Sequence, residues 1–535
     1  MMRWPTKREV WIGSTLLAAI LVWSGRFFVN PDGISYLDLS DSVQAGRFAD
    51  AVNLHWSPAY PYLLALWLSP LSPGSPWEST AVHILNGVLF LGALRAFDFF
   101  LDELERSQPQ SSRHALRLDT RGGRFAAYAI FLWCALVLVT IRAVTPDMLV
   151  TLLGFTAAGL FVRIKSDRAG RGPFAALGLT LGLAALAKAF MFPVAVLMIA
   201  IMLIGTRRAR LLLLTIAFFA VTVVPQVAAL SIKSGKLTIG ESARIVYLLK
   251  VNRIPKLGEG IVYFPTDTPD RTYPLWDDPA ALYSGMAVRF DVADQLNATR
   301  NNLVTLAGLG LKILAPLLIV VALRDRKSRM TNRSLVAIAS LVLATYLLLF
   351  TEARLVGFWI ALLVAAALAG ITLSEGKLKH EAGRGFIHVI TLVSVISFVT
   401  YVIDQAFSSR PDRGLNGRNV SAQVASAVNR ACIPPGSRIA LVGDESDIYW
   451  ARLARVQIAA QIPLRAADGY MSLPPDALSR INEQFASVGA RGIVASWVDT
   501  PPRMNGWIQV DNFRIFSFNR DTTSINGRIR TLDCR

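Results

Sequence analysis

The run Thr145-Pro146-Asp147-Met148-Leu149-Val150-Thr151-Leu152-Leu153-Gly154-Phe155-Thr156-Ala157-Ala158-Gly159-Leu160-Phe161-Val162-Arg163 decides the fold class. The run is 19 residues long, and between the acid near its head and the base at its foot it holds only apolar and small residues; a helix needs about 20 residues to cross a hydrocarbon core. A helix on a soluble surface shows one polar face; this run shows none. Runs of the same kind flank it at 124–142, 172–188, 190–205 and 209–231. Others lie further out at 10–29, 79–101, 303–323, 334–350, 354–373 and 386–404.

Composition agrees. Of the 535 residues 53% are hydrophobic and only 17% charged, and the mean hydropathy is +0.44, so the chain has too few charges to cover a soluble surface. A net charge of +18 brings nucleic acid to mind as a partner. The Lys and Arg residues, however, are dealt out between the apolar runs and form no single patch. Three cysteines without a CxxC exclude a disulfide scaffold and a cysteine-rich metal site. At the N-terminus Arg3, Lys7 and Arg8 precede the run from Val10 to Val29. That run is too long for the core of a signal peptide and no small-x-small cleavage pattern follows it, so it reads as the first span.

With the N-terminus in the cytoplasm, five basic clusters fall in loops on that side. They are Arg106/Arg113/Arg117/Arg121/Arg124, Arg163/Lys165/Arg168/Arg171, Arg207/Arg208/Arg210, Arg324/Arg326/Lys327/Arg329/Arg333 and Lys377/Lys379/Arg384. Miscounting by one helix breaks this positive-inside pattern, so about eleven transmembrane helices are expected. Outer loops 30–78 and 232–302 then lie on the far side, as does the tail, giving a membrane domain over 1–409 and a soluble periplasmic domain over 410–535. Within the first loop, Gly33 to Gly46 and Ser57 to Ser69 are helical in pattern but too short to cross; they are expected as two juxtamembrane helices. In the tail, Arg438–Val442, Gly492–Ala495, Trp507–Val510 and Phe513–Phe518 read as strands and Pro475–Val488 as a helix. The expectation is an all-α polytopic membrane protein with a small C-terminal α/β domain. Gly443-Asp444 follows a strand without a GxGxxG, so no nucleotide signature is present. Cys432 and Cys534 bracket the tail and are candidates for a disulfide in an oxidising compartment.

Several ionisable residues gather at the outer ends of the spans: Asp32, Asp147, Lys188 and the pair Glu352/Arg354, with Arg142 as a further cation. Each has an ordinary explanation. Asp32 in Asn30-Pro31-Asp32-Gly33 is placed to cap a helix; Asp147 after Thr145-Pro146 forms an ordinary helix start; Lys188 at a span's end is able to snorkel. Jointly they lie beside His55-Trp56-Ser57-Pro58-Ala59-Tyr60-Pro61-Tyr62, a loop that otherwise reads as an aromatic belt. His83, His114, His380 and His388 show no metal-ligand spacing, and no HExxH, GxSxG or P-loop occurs.

In their order along roughly residues 10–375, these features resemble the GT-C superfamily of polyprenyl-phosphate-sugar glycosyltransferases, in particular the bacterial branch similar to lipid A aminoarabinose transferases and protein O-mannosyltransferases. The resemblance rests on Asp32-Gly33-Ile34-Ser35-Tyr36-Leu37 opening the first loop, the segment from His55, Asp147 opening the fourth span, and the Gly-rich stretch from Gly178 ending in Lys188. Glu352-Ala353-Arg354-Leu355 is similar to a Glu-x-Arg-Tyr of relatives, and Arg271-Thr272-Tyr273-Pro274-Leu275-Trp276-Asp277-Asp278-Pro279 looks like a subfamily signature. Two departures stand out. Protein mannosyltransferases carry Asp-Glu where this chain has Asp32-Gly33, and the lysine that aminoarabinose transferases place before proline is Ser57 here.

The resemblance implies transfer of a sugar from a polyprenyl phosphate to a lipid, glycan or protein acceptor at the periplasmic face of a bacterial inner membrane. A phosphate leaving group is a weak base and needs no protonation, so one base and one cation suffice. The expected roles are Asp32 as base, Asp147 as orienting acid, and Lys188, Arg354, Glu352, His55, Tyr60 and Arg142 in binding donor phosphate or substrate, with inversion at the sugar. No cofactor is required; Mg or Mn held by Asp32 and Asp147 is the variant. The alternative function is a transporter or flippase of lipid-linked substrates, but interrupted midplane helices and inverted repeats are not evident.

Overall fold

The computed structural model describes residues 4–108, 118, 120–205, 208–254, 260–264, 271–325, 332–373, 376–496 and 507–518. In chain order, α1 (Lys7–Gly25) is followed by three short helices, α2 (Pro31–Gln44), α3 (Phe48–Ala51) and α4 (Ala59–Leu68). Next come α5 (Glu78–Ser107), α6 (Arg121–Leu132), α7 (Asp147–Lys165), α8 (Arg171–Ala187), α9 (Met191–Gly205) and α10 (Ala209–Ser234). The second long loop holds α11 (Ser242–Lys250), strand β1 (Val262–Tyr263), α12 (Pro274–Asp277) and α13 (Pro279–Leu282). The bundle closes with α14 (Val292–Ala322), α15 (Arg333–Leu349), α16 (Ala353–Gly370) and α17 (Lys377–Ala406).

Helices α1, α5 to α10 and α14 to α17 occupy the eleven expected spans, and α2 and α4 are the two short helices expected between the first pair. Among the described residues, six helices are long and apolar enough to cross a membrane by length and composition. The chain is a helical multi-pass membrane protein with a small α/β domain.

Local sequence explains two departures from regularity. Helix α6 runs into a π-helical turn, Trp133–Val139, and ends at Thr140, whose φ of 57° is a strained value for a β-branched residue. The third span therefore stops short of residue 142, and the freed carbonyls of Ile141 and Ala143 accept from Asn86 Nδ2 at 3.2 and 3.0 Å. On α8 the glycines are contact points: a Cβ on Gly182 would sit 2.6 Å from Thr222 Cβ, and one on Gly178 would collide with the Thr215 carbonyl of α10. Small residues let two helices approach where no hydrophobic driving force exists in lipid.

At the end of the bundle that carries the basic clusters, α5 supplies buried acids. Asp98 meets Lys7 at 3.0 Å, and Glu103 meets Arg163 at 2.7 Å and Arg168 at 3.2 Å. The opposite end carries the sheet.

The C-terminal part contains α18 (Val420–Arg430), β2 (Arg438–Gly443), α19 (Tyr449–Ala454), β3 (Gln457–Pro463), α20 (Leu464–Met471), α21 (Pro475–Ser487), β4 (Ala490–Ser496), β5 (Ile508–Val510) and β6 (Phe513–Ser517). Strand order is β1-β3-β2-β4-β6-β5, with β3, β2 and β4 parallel and the outer pairs antiparallel. The edge strand β1 comes from the second long loop, pairing Val262 with Gln461. Cys432 is disulfide-bonded and Cys134 is free and buried. Cys534, named with Cys432 as a candidate pair, lies outside the described residues.

A buried arginine helps to fasten this part to the bundle. Arg452 of α19 donates from Nε to Glu78 Oε1 at 2.8 Å, from Nη1 to Asp38 Oδ1 at 2.6 Å and from Nη2 to Asp41 Oδ1 at 2.9 Å. Asp38 also accepts from Thr272 N and Oγ1 at 2.8 and 2.9 Å. Burial pushes the Asp38 carboxyl above its usual range, against the pull of Arg452 and the Thr272 N–H. Helix α2 is thereby clamped between the sheet domain, α5 and the second loop.

Candidate active site

Helix α2 opens the site. Asn30 takes the cap position, Pro31 follows, and Asp32 sits in the first turn. Asp32 is thus not the cap that its sequence position suggests. The Asn30 Oδ1 accepts from Val144 N at 2.8 Å, which pins the helix start to the loop before α7. Asp32 is left in the positive field of the helix N-terminus, with its carboxylate available to a cation. Gly33 is fixed by packing: a Cβ there would lie 2.7 Å from Val144 Cβ, so a longer side chain does not fit.

Three more segments converge on Asp32. Asp147 is the first residue of α7, after Pro146 in the cap position. Arg354 is the second residue of α16. Its Nη2 lies 2.7 Å from Asp32 Oδ2, its Nε 3.0 Å from Glu352 Oε1 and its Nη1 4.0 Å from Asp147 Oδ2. Lys188, in extended backbone just past α8, forms an ion pair with Asp147 Oδ1. Ser57 has its own task, since its Oγ accepts from Ala189 N at 3.0 Å and so ties the aromatic loop to the residue after Lys188.

The aromatic loop walls the cluster. His55 and Trp56 meet edge to face at 4.5 Å, and Tyr36 packs edge-on against Trp56 and Tyr60 at 5.0 and 5.4 Å. Tyr60 OH donates to Asn86 Oδ1 at 2.9 Å. His55 is buried enough that its pKa drops to about 4, which leaves a neutral imidazole at neutral pH. Its Nδ1 has no hydrogen-bond partner among the described residues. Tyr36, within electrostatic reach of Asp32, Asp147 and Arg354, was not among the sequence candidates. Its spacing of four from Asp32 puts both on one helix face, and that was the signal.

Arg142 keeps different company. Its Nε lies against Gly25, its electrostatic neighbours are Tyr401, Arg413 and Asp412, and no ion pair joins it to Asp32 or Asp147 among the described residues. The geometry therefore groups Asp32, Asp147, Lys188, Glu352 and Arg354, with His55 and Tyr60 at the wall, and leaves Arg142 outside.

The donor set does not suit Mg²⁺ or Mn²⁺. Asp32 and Asp147 are spanned by Arg354 and one of them also holds Lys188, and no group of three or more metal-type ligands occurs among the described residues. Hard cations want several oxygen ligands free of competing charge. The same cluster suits an anion. Arg354 and Lys188 place a planar and a point-charge donor beside one another, and the oxygens of a phosphate are able to engage both at once.

An apolar bundle whose first loop returns as short helices, with the Arg354 cluster at the end that carries the small sheet domain, has the GT-C fold, as the solved structures that match it show. No family model and no curated protein matches the sequence. Solved structures do match the chain. ArnT from Cupriavidus metallidurans bound to undecaprenyl phosphate superposes with a TM-score of 0.54 at 12% identity, over 95% of this chain and 97% of that one. An Archaeoglobus fulgidus oligosaccharyltransferase tethered with an acceptor peptide containing the NVT sequon gives 0.51 at 12% identity, over 91% of this chain and 68% of that one.

Proposed function

We propose that the protein is a glycosyltransferase that moves a sugar from a polyprenyl-phosphate donor to an acceptor at the periplasmic face of a bacterial inner membrane. The observation that carries this reading is Arg354, which gathers Asp32, Asp147 and Glu352 from three separate segments at an incompletely buried point. The ArnT structure that shares the fold holds undecaprenyl phosphate, which supports a donor of that class.

The ion pairs describe a resting state. When a donor phosphate arrives, Arg354 shifts the hydrogen bond it gives Asp32 to a phosphate oxygen and Lys188 turns a further N–H to the phosphate, so that Asp32 is released while Asp147 stays paired with Lys188. The acceptor O–H or N–H then attacks C1 of the sugar, the C1–O bond to phosphate breaks with its electron pair going to the phosphate, and Asp32 takes the acceptor's proton. Attack opposite the leaving phosphate inverts the anomeric centre. Asp147 keeps Lys188 aimed at the phosphate, and Glu352 does the same for Arg354. Neutral His55 offers a hydrogen bond to the acceptor without adding charge.

The test is an assay of the purified protein with radiolabelled polyprenyl-phosphate sugars and membrane lipid extract as acceptor. Transfer by the wild type and its loss in Asp32→Asn are expected. Undiminished transfer in Asp32→Asn would remove Asp32 as base.

A further inference from the structure

The signature from Arg271 to Pro279 is not used by the chemistry above, yet it lines a cavity of about 1070 Å³ beside the site. One wall is the exit end of α10, with Ala229, Ile232 and Lys233; another is α12 and α13, with Leu275, Asp277 and Leu282. Helix α10 is the least packed of the candidate spans, and Val221, Val224 and Ile232 are exposed along it. The cavity therefore opens onto the apolar face of a span at its end, where a lipid-anchored molecule has lateral access.

Its polar wall is short of free cations. Asp50, Asp277 and Asp278 face it together with Lys233 and Arg271. Both cations are engaged: Arg271 Nε lies 3.1 Å from Asp277 Oδ1 and its Nη2 donates to Asp50 O at 2.8 Å, while Lys233 Nζ donates to Val52 O at 2.6 Å and lies 3.5 Å from Asp278. A phosphate meets a net negative wall and is disfavoured. The remaining valences ask for a ligand that both donates and accepts. The carboxylates accept, and Arg271, 5% exposed, has an Nη1 with no partner among the described residues. Hydroxyl groups do both.

The cavity also abuts the reacting groups. Trp276 O accepts from Ser35 Oγ at 2.9 Å, three residues after Asp32, and from Trp56 Nε1 at 2.7 Å. Asn53 Nδ2 donates to Asp277 O at 2.6 Å. His55 is within electrostatic reach of both Asp32 and Asp278. We infer that this cavity is the acceptor site, taking the hydroxylated head of a membrane-anchored glycolipid whose apolar chain runs along α10. This inference rests on the transferase reading for the word acceptor, but its test does not need transfer.

The probe is a decyl β-glucoside carrying a diazirine in its chain, photolysed with the purified full-length protein, the labelled residues being read by mass spectrometry. Label is expected on Ile232 and on residues 275–282, reduced at least ten-fold in Ala281→Trp, which fills the cavity, and unchanged by excess undecaprenyl phosphate. Leu282→Trp at the rim is the second variant should Ala281→Trp fail to fold, and retained binding of undecaprenyl phosphate shows that a variant is intact. Label that persists in a folded cavity-filling variant, that undecaprenyl phosphate displaces, or that decyltrimethylammonium blocks as well as the unmodified glucoside does would overturn the assignment. Labelling without any sugar transfer would sink the transferase reading alone; transfer without labelling would sink the cavity alone.

Discussion

Two arginines each hold three carboxylates in this molecule, and both grip α2. Arg452 binds Asp38, Asp41 and Glu78 with side chains almost wholly buried, at 3% exposure for the arginine, and with contacts of 2.6 to 2.9 Å. Arg354 binds Asp32, Glu352 and Asp147 with about a quarter of its side chain exposed, one contact stretched to 4.0 Å, and an oxygen of Asp147 left without a hydrogen-bond partner among the described residues. The first net is saturated and sealed. The second is open and under-satisfied. A saturated net fixes geometry, whereas an unsaturated one at the same membrane end is able to exchange partners with a ligand.

Breaking each net should expose that difference. The largest effect falls on Arg452→Met, because three buried carboxylates lose their cation; removing one partner of a buried ion pair costs about 3–5 kcal/mol. Thermal unfolding of the detergent-solubilised protein should show a correspondingly large drop. Arg354→Gln should leave the melting temperature much closer to wild type while lowering transfer about 10²–10³-fold, the scale for losing one donor to a developing anion. Equal destabilisation by the two substitutions would erase the distinction.

A smaller effect concerns pH. Burial raises Asp277 to about 6, with Arg271 pulling the other way. A carboxyl raised in the folded state holds its proton more tightly there, so its share of stability is complete below the unfolded value near 4 and is lost as pH climbs through about 6. Asp38, and Asp447, raised to about 6, add to the same slope. Asp277→Asn should remove one share, at most about 1.4 kcal/mol per pH unit, from stability measured between pH 4 and 7. An unchanged slope would contradict the burial argument. Finally, Gly33→Ala drives a methyl toward Val144 and should destabilise by about 1–3 kcal/mol, the usual cost of overpacking, with some loss of transfer because α2 shifts under Asp32.

The same comparison separates what the sequence reveals from what it hides. Long apolar runs and basic loops are local signals, and they located the spans from α1 to α17 and the short helices α2 and α4. The Arg354 net was legible in part because its members sit at span ends, where a charge has no ordinary reason to be. The Arg452 net was not, because its contacts join residues 374 to 414 positions apart and each acid alone looks like a helix surface. Strand β1, two residues long, carries no periodicity, and β3 passes as a stretch of alanine and isoleucine until Gln461 is seen bonding Gly443 O and Tyr273 within the sheet. That Arg142 sits by Gly25, Tyr401 and Asp412, apart from the Arg354 net, was not legible, because the direction a side chain takes at a span end depends on packing that no local pattern shows.

The central claim is that Arg354 trades Asp32 for a donor phosphate. Titration of undecaprenyl phosphate into purified Asp32→Asn protein tests it directly, since the substitution removes the competitor and keeps the cation. The exchange predicts tighter binding than wild type together with loss of sugar transfer. Weaker or unchanged binding would contradict it, and Arg354 would then be a strut like Arg452.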